Sequence, residues 1–204
     1  MNRVIRVLGV TLLVLAFAGA ALAENANQRV VGKKGIGYFS SDAPLGVRYW
    51  TSDAMAIDFG IGIGLDTKVP NPGTATDETL LDFGFDVGLP WVLHGEDNMI
   101  VYFRPGLTVK GNQAFDAVPA PVGGVQGPAD KVYDMTYTPG LGLGGEFFLG
   151  QLGWPNLSFS GQVGIGLQLT SPGASGASSR VSFATTHQDV SVVNTGALGF
   201  HIYF

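Results

Sequence analysis

The sequence contains no cysteine and few charged residues, and both shortages limit what the chain can be. Without cysteine the chain has neither a disulfide scaffold nor a thiolate metal site. Charged residues make up 13% of the sequence, against about 25% in an average soluble domain. So few charges would coat an ordinary soluble surface poorly. The formal net charge of −5 disfavours binding to nucleic acid.

The beginning of the chain has the features of a secretory signal peptide. Arg3 and Arg6 supply a positive start, residues 7–18 form an apolar run, and residues 21–23 are a small-x-small cleavage site. The apolar run is shorter than the roughly 20 residues that a helix needs to span a bilayer, which disfavours a membrane anchor. We therefore expect a cleaved signal peptide at residues 1–23 and a single domain at residues 24–204.

The mature chain lacks any apolar stretch long enough for a spanning helix but is rich in glycine. Glycine accounts for 31 of 204 residues, about twice the average share of roughly 7%. The other structure that crosses a bilayer is a closed β-barrel, because every backbone polar group is then paired. An exported chain with few charges and no spanning helix fits that structure.

Residues 55–67 show the strand pattern most clearly. Large apolar residues alternate there with small or acidic ones, as in Ile61-Gly62-Ile63-Gly64. A period of two predicts a strand with two different faces. The pattern does not say which face points outward, because a soluble barrel with an apolar interior, such as a lipocalin, would show it too.

The same alternation predicts eight strands, with connections that alternate between short and long. The predicted strands are residues 35–40, 45–51, 55–67, 80–91, 99–110, 131–149, 157–169 and 190–204. The long loops are residues 68–79, 111–130 and 170–189, although residues 181–184 of the last loop could extend a strand. Bacterial outer-membrane barrels have an even number of strands, short periplasmic turns and longer extracellular loops. We therefore predict an all-β, closed, up-and-down antiparallel transmembrane barrel whose last strand ends in the periplasm.

The last residues resemble the C-terminal signal of outer-membrane β-barrel proteins. Gly199, Ile202 and Phe204 fit that signal, while Ala197 replaces a position that is usually polar. The mature chain as a whole resembles small eight-stranded barrels of the outer-membrane protein A and X type. The resemblance implies an outer-membrane location in a Gram-negative envelope. It also implies contacts with outer-membrane lipid, the barrel assembly machinery and periplasmic chaperones, a monomer, and no cofactor.

With the apolar face in lipid, the inward positions carry charges of both signs near one depth. These lumen residues are Arg48, Asp58, Asp86, Arg104 and Glu146. Buried charges persist when they are paired and hydrogen-bonded. We predict a salt-bridged plug in the lower lumen, with a gated ion or proton path as the alternative. Above it the inward glycines have two interpretations: tight coiling with Trp50, Tyr102 and Phe148 filling the space, or an open pocket.

The sequence gives little support for a catalytic site or a metal site. His94 falls in a predicted turn and His201 lies beside no obvious nucleophile in sequence. His187, with Asp189 and nearby serines Ser182 and Ser191, is the only candidate for acyl-transfer chemistry. The acidic pairs Asp58/Asp66 and Asp82/Asp86 are explained as lumen charges, so we predict no metal site.

The sequence therefore predicts a porin-like outer-membrane barrel with a structural or surface-interaction role and no enzymatic activity. One alternative is a narrow channel or a binding barrel for a small apolar compound. The other is a lipid-modifying enzyme of the outer membrane.

Overall fold

The computed structural model describes residues 30–38, 43–71, 77–116, 129–173, 178–185 and 198–204. The predicted signal peptide lies outside these residues. The strands are β1 Lys34–Tyr38, β2 Leu45–Trp50, β3 Ala56–Pro70, β4 Asp77–Gly88, β5 Trp91–Gly95, β6 Met99–Phe115, β7 Lys131–Phe148, β8 Leu157–Ser171, β9 Arg180–Thr185 and β10 Leu198–Tyr203. A short 3-10 helix occupies Leu149–Leu152. Within the described ranges, no helix has the length and apolar character needed to cross a membrane.

The strands form a closed, up-and-down antiparallel barrel of eight strands, which confirms the predicted all-β barrel architecture. β4 and β5 both pair with β6 and together make one barrel strand. β9 and β10 likewise make one barrel strand, because both pair with β8. The barrel closes where β1 pairs with β10, with Ile36 opposite Ile202.

The fourth barrel strand is longer than predicted and is interrupted at Pro90. The sequence predicts its end at Trp91, whereas β5 continues to Gly95. A proline has no N–H to donate to a ladder, and pairing with β3 stops at Gly88. The Pro90 carbonyl still accepts a hydrogen bond from the Ala56 N–H at 2.9 Å. The proline therefore interrupts the ladder without ending the barrel strand.

The hairpins on the long-loop side extend further than the sequence predicts. β3 reaches Pro70 and β6 reaches Phe115, so each continues into a predicted loop. Within the predicted loop at residues 170–189, the possible strand at residues 181–184 is confirmed as part of β9, which pairs with β8 from Thr170 to Ile165. Residues 190–197 of the predicted last strand lie outside the described residues.

The inner face of the barrel is the glycine-rich and charged one. On β3, Asp58 and Gly60 are buried whereas Ile57 and Phe59 are exposed, and β2 and β10 alternate in the same way. Residues 51–55, 96–98 and 149–156 are the short connections, and we call their end of the barrel the lower end. A buried apolar core fills the lumen there, made of Val30, Trp50, Ala56, Val92, Ile100, Tyr102, Phe148 and Tyr203.

A line of glycines crosses four neighbouring strands just above this core. Gly88, Gly106, Gly140 and Gly166 stand opposite one another in successive pairings. A Cβ atom on Gly106 would lie 2.9 Å from the Val87 carbonyl oxygen, which is closer than real contacts allow. Glycine therefore permits adjacent strands to approach closely where the sheet curves.

Candidate functional site

Five inward charges from five strands meet above the apolar core, and we call them the lumen charge cluster: Arg48, Asp58, Asp86, Arg104 and Glu146. All five are buried, and each occupies an inward position of β2, β3, β4, β6 or β7. Arg48 and Asp58 are direct partners in the β2–β3 register. The structure thus brings together every charge that the sequence assigns to the plug.

Arg48 is the centre of the cluster. Its Nε and Nη2 donate to Asp58 Oδ1 and Oδ2 at 2.7 and 2.8 Å, which is a bidentate pairing. Its Nη1 donates to Glu146 Oε2 at 2.7 Å. The guanidinium also lies over the Tyr102 ring, 5.0 Å from the ring centre. Arg48 is on β2 and Glu146 is on β7, and three barrel strands separate β2 from β7 in either direction around the barrel. A single arginine therefore links opposite sides of the wall.

Arg104 extends the network upward. Its Nε donates to Asp58 Oδ2 at 2.8 Å, and its Nη2 donates to Asp86 Oδ1. The remaining oxygen of Asp86 accepts a hydrogen bond from the Thr108 hydroxyl at 2.8 Å. Asp58 thus accepts from two guanidinium groups, and this sharing satisfies a carboxylate that has no exposed surface.

Glu146 connects the cluster to the lower core through residues that the sequence reasoning missed. Its Oε1 accepts hydrogen bonds from the hydroxyls of Ser158 and Tyr203, the latter at 2.7 Å. The Trp50 Nε1–H donates to the Tyr203 hydroxyl at 3.1 Å. Both hydroxyl-bearing residues occupy inward positions, and that parity is the one sequence signal that could have found them.

The expectation that His201 lies beside no nucleophile is wrong. β8 and β10 place Ser158 opposite His201, with 3.4 Å between the serine Oγ and the histidine Nδ1. That Nδ1 lies 3.3 Å from Glu146 Oε1. The three residue types match those of a catalytic triad, but the geometry differs. The serine donates to the carboxylate, and all three side chains are buried, so the serine has no surface that a substrate could reach.

His94 is separate from this site. It is exposed and lies in β5, opposite Val101, so the prediction that it falls in a turn is wrong. Its Nε2 lies 3.3 Å from Glu96 Oε1. His187, Asp189 and Ser191 lie outside the described residues. Among the residues that the structure describes, no group of three or more potential ligands is arranged to hold a metal ion.

The predicted C-terminal assembly signal lies on and just after β10. Phe204 is anchored to β1 by two backbone hydrogen bonds with Lys34, at 3.1 and 3.3 Å. Ile202 and Phe204 face outward and are exposed. A Cβ atom on Gly199 would lie 2.7 Å from both the Ser160 hydroxyl and the Tyr38 carbonyl. The inward glycine is thus needed for packing, and its role in assembly stays a prediction.

Trp50, Tyr102 and Phe148 lie in the apolar core below the lumen charge cluster, so the prediction that they fill the space above it is wrong. In the lower half, a Cβ atom on Gly144 would lie 2.6 Å from the Tyr102 ring, and one on Gly35 would lie 2.7 Å from the Tyr203 ring. Large side chains therefore fill the space that these glycines leave. Higher up, a Cβ atom on Gly64 would make only an ordinary contact of 3.5 Å with Asp82.

The bases of two long loops are joined on the long-loop side. Asn71 donates to Glu78 at 2.6 Å and exchanges hydrogen bonds with the Ala129 backbone. Lys131 forms a 2.9 Å ion pair with Glu78. Glu78 lies beyond the outward apolar band of β4, and its hydrogen bonds to Lys131 and Asn71 lower the pKa of its carboxyl. Hydrogen bonds and an ion pair thus connect the ends of the first long loop to the end of the second.

Comparison with protein families, with curated proteins and with solved structures found no match for this chain.

Proposed function

We propose that this protein is an integral outer-membrane β-barrel with a structural or surface-interaction role, and that the lumen charge cluster closes its lower lumen. The observation that carries the proposal is the separation of the faces. Charges are buried inside, while apolar side chains such as Ile63 (76% exposed), Leu65 and Phe85 cover the outside. A soluble monomer seldom exposes an apolar surface of this extent, whereas a lipid-facing wall requires one.

The length of the outward apolar band and the position of exposed residues at its lower end also support a membrane-spanning wall. Outward apolar residues run along β3 from Ile57 to Leu65, close to the roughly 9–11 residues of a tilted spanning strand. Leu152 and Trp154 are exposed at the lower connection, where tryptophan suits the boundary between lipid and water. The lipocalin-like alternative is disfavoured, because its apolar face would point inward.

A closed plug accounts for the lumen charge cluster better than a conducting path does. Arg48 and Arg104 stand in series between the carboxylates, and a guanidinium does not release its proton to act as a relay. Below them the buried apolar core separates the cluster from the lower end. The hydrogen bonds that link five strands make the cluster a brace for the barrel wall.

The alternative functions have weaker support. An apolar ligand would need an apolar cavity, but the described apolar core is packed with side chains. Lipid-modifying chemistry would need a nucleophile that a substrate can reach, whereas Ser158 is fully buried. We therefore propose no enzymatic activity, no cofactor, and a monomer whose contacts are lipid, the assembly machinery and periplasmic chaperones.

Cell fractionation combined with gel mobility tests the proposal. We expect the processed protein in the outer-membrane fraction, with faster migration before boiling than after boiling. Recovery in the soluble periplasm, with the same mobility in both conditions, would refute the membrane assignment.

A further inference from the structure

The lumen above the charge cluster is accessible to water, in contrast to the closed lower half. On β7 the inward residues Glu146, Gly144 and Gly142 are buried, whereas Gly140 and Thr138 are half-buried. On β8 the inward residues change in the same way above Ser158. The boundary lies at the level of Arg104, because Gly142 pairs with it. The described residues thus close the lower lumen and fill its upper part less completely.

We call this upper part of the lumen the polar cup and define it by Asp86, Thr138, Gly140, Gln162, Gly164 and Gln168. Its floor is the Asp86 carboxylate, whose side chain is 12% exposed and is held by Arg104 and Thr108. Along β7 from Asp134 to Gly142, and along β8 from Ser160 to Thr170, the inward positions carry only Gly, Ser, Thr, Gln or Asp. The walls formed by β7 and β8 are therefore polar and mostly uncharged.

We infer that the polar cup binds a small neutral polyhydroxylated molecule of the size of a mono- or disaccharide. Amides such as Gln162 and hydroxyls such as Thr138 offer both donors and acceptors, which is what sugar hydroxyl groups require. The Asp86 carboxylate, which is 12% exposed, adds a strong acceptor whose charge is already compensated by Arg104. Barrels of eight strands are wide enough for one small ligand.

The charges and chemistry of the cup disfavour other ligand classes. Asp66, Asp82 and Asp134 have inward positions on β3, β4 and β7, against Lys110 on β6, so the described upper walls carry more negative than positive charge. An anion would be repelled by these walls and by the carboxylate floor. Among the described residues, no group of three or more His, Cys, Asp or Glu side chains is arranged to hold a metal ion. An apolar compound would find no apolar wall on β7 or β8. This inference is independent of the membrane assignment, since it concerns only the inner face.

Amide NMR spectra of the folded protein in lipid nanodiscs test the inference, with glucose, maltose and trehalose as neutral probes. We expect at least one sugar to shift the amide signals of Gly140, Gly164 and Gly166 in a saturable way. Glucose 6-phosphate serves as the anionic probe and should bind no better than glucose. Shifts that stay absent or linear for all three sugars, or tighter binding of the phosphate, would overturn the inference.

Two variants place the binding inside the cup. Gly64→Phe directs a ring into the lumen from a position where a Cβ atom makes only ordinary contacts, and Gln162→Leu removes a wall amide. Each should weaken binding by at least about tenfold. The matched control, Leu65→Phe, changes the adjacent outward residue and should leave binding unchanged. Unboiled gel mobility verifies that each variant is folded, and undiminished binding by both folded cup variants would also contradict the proposal.

Discussion

Replacing Arg48 by methionine tests the lumen charge cluster directly. Methionine keeps the unbranched stem but removes three charge-assisted hydrogen bonds, two to Asp58 and one to Glu146. Hydrogen bonds to charged groups contribute about 1.5–3 kcal/mol each, but these losses are not additive. Asp58 keeps Arg104, and Glu146 keeps Tyr203. Removing one partner of a buried ion pair costs about 3–5 kcal/mol, so we expect a loss of about 3 kcal/mol.

Equilibrium urea unfolding in lipid vesicles measures this loss, with the folded fraction read from unboiled gels. Arg48→Lys should lie between the wild type and Arg48→Met, because an ammonium keeps the charge but cannot form the bidentate pairing. Tyr49→Phe, on the outward face of the same strand, should stay within about 0.5 kcal/mol of the wild type. A loss below about 1 kcal/mol for Arg48→Met would refute the view that the cluster braces the wall.

A double-mutant cycle separates the Arg48–Glu146 pair from its surroundings. Glu146→Gln alone leaves Arg48 with less negative charge around it and should destabilise the barrel. The double variant should lose less than the sum of the two single losses, by about 1–3 kcal/mol. Additive losses would show that this 2.7 Å contact contributes no coupling.

Two further substitutions test the packing and the faces by the same unfolding measurement. Gly144→Ala should cost about 1–3 kcal/mol, because its methyl group would overlap the buried Tyr102 ring. Gly64→Ala is its control and should cause little change, and equal losses would contradict the packing argument. Ile61→Arg should cost about 2–4 kcal/mol in a bilayer, whereas Thr67→Arg near the end of the apolar band should cost about 0–1 kcal/mol. A neutral Ile61→Arg would mean that this face does not contact lipid.

Local periodicity explains why most strands were predicted from the sequence. Side chains alternate across a strand whatever its partners are, so Ile57 and Asp58 had to lie on opposite faces of β3. The failures occur where pairing decides the structure. The strand continues past Pro90 because the Pro90 carbonyl bonds to Ala56.

The residues of the candidate site were also predicted only in part, because some of their contacts depend on strand pairing. Parity placed Arg48, Asp58 and Glu146 on the face of the glycines, and the membrane-barrel interpretation turned that face towards the lumen. The β2–β3 hairpin then pairs Arg48 with Asp58, which is only ten residues away. Sequence reasoning missed Ser158 as a neighbour of His201, because their pairing joins β8 to the last strand across 43 residues.

The alternation along the chain is enough to dictate two-faced strands, with apolar residues on one face and glycines and charges on the other. The sequence also contains the balance of arginines and carboxylates that allows buried charges to be paired. Arg48 reaches Glu146, and the charge cluster and apolar core close the lower lumen, only when the barrel is formed. Barrel closure and strand stagger set those distances, and both depend on all eight strands together rather than on any local segment.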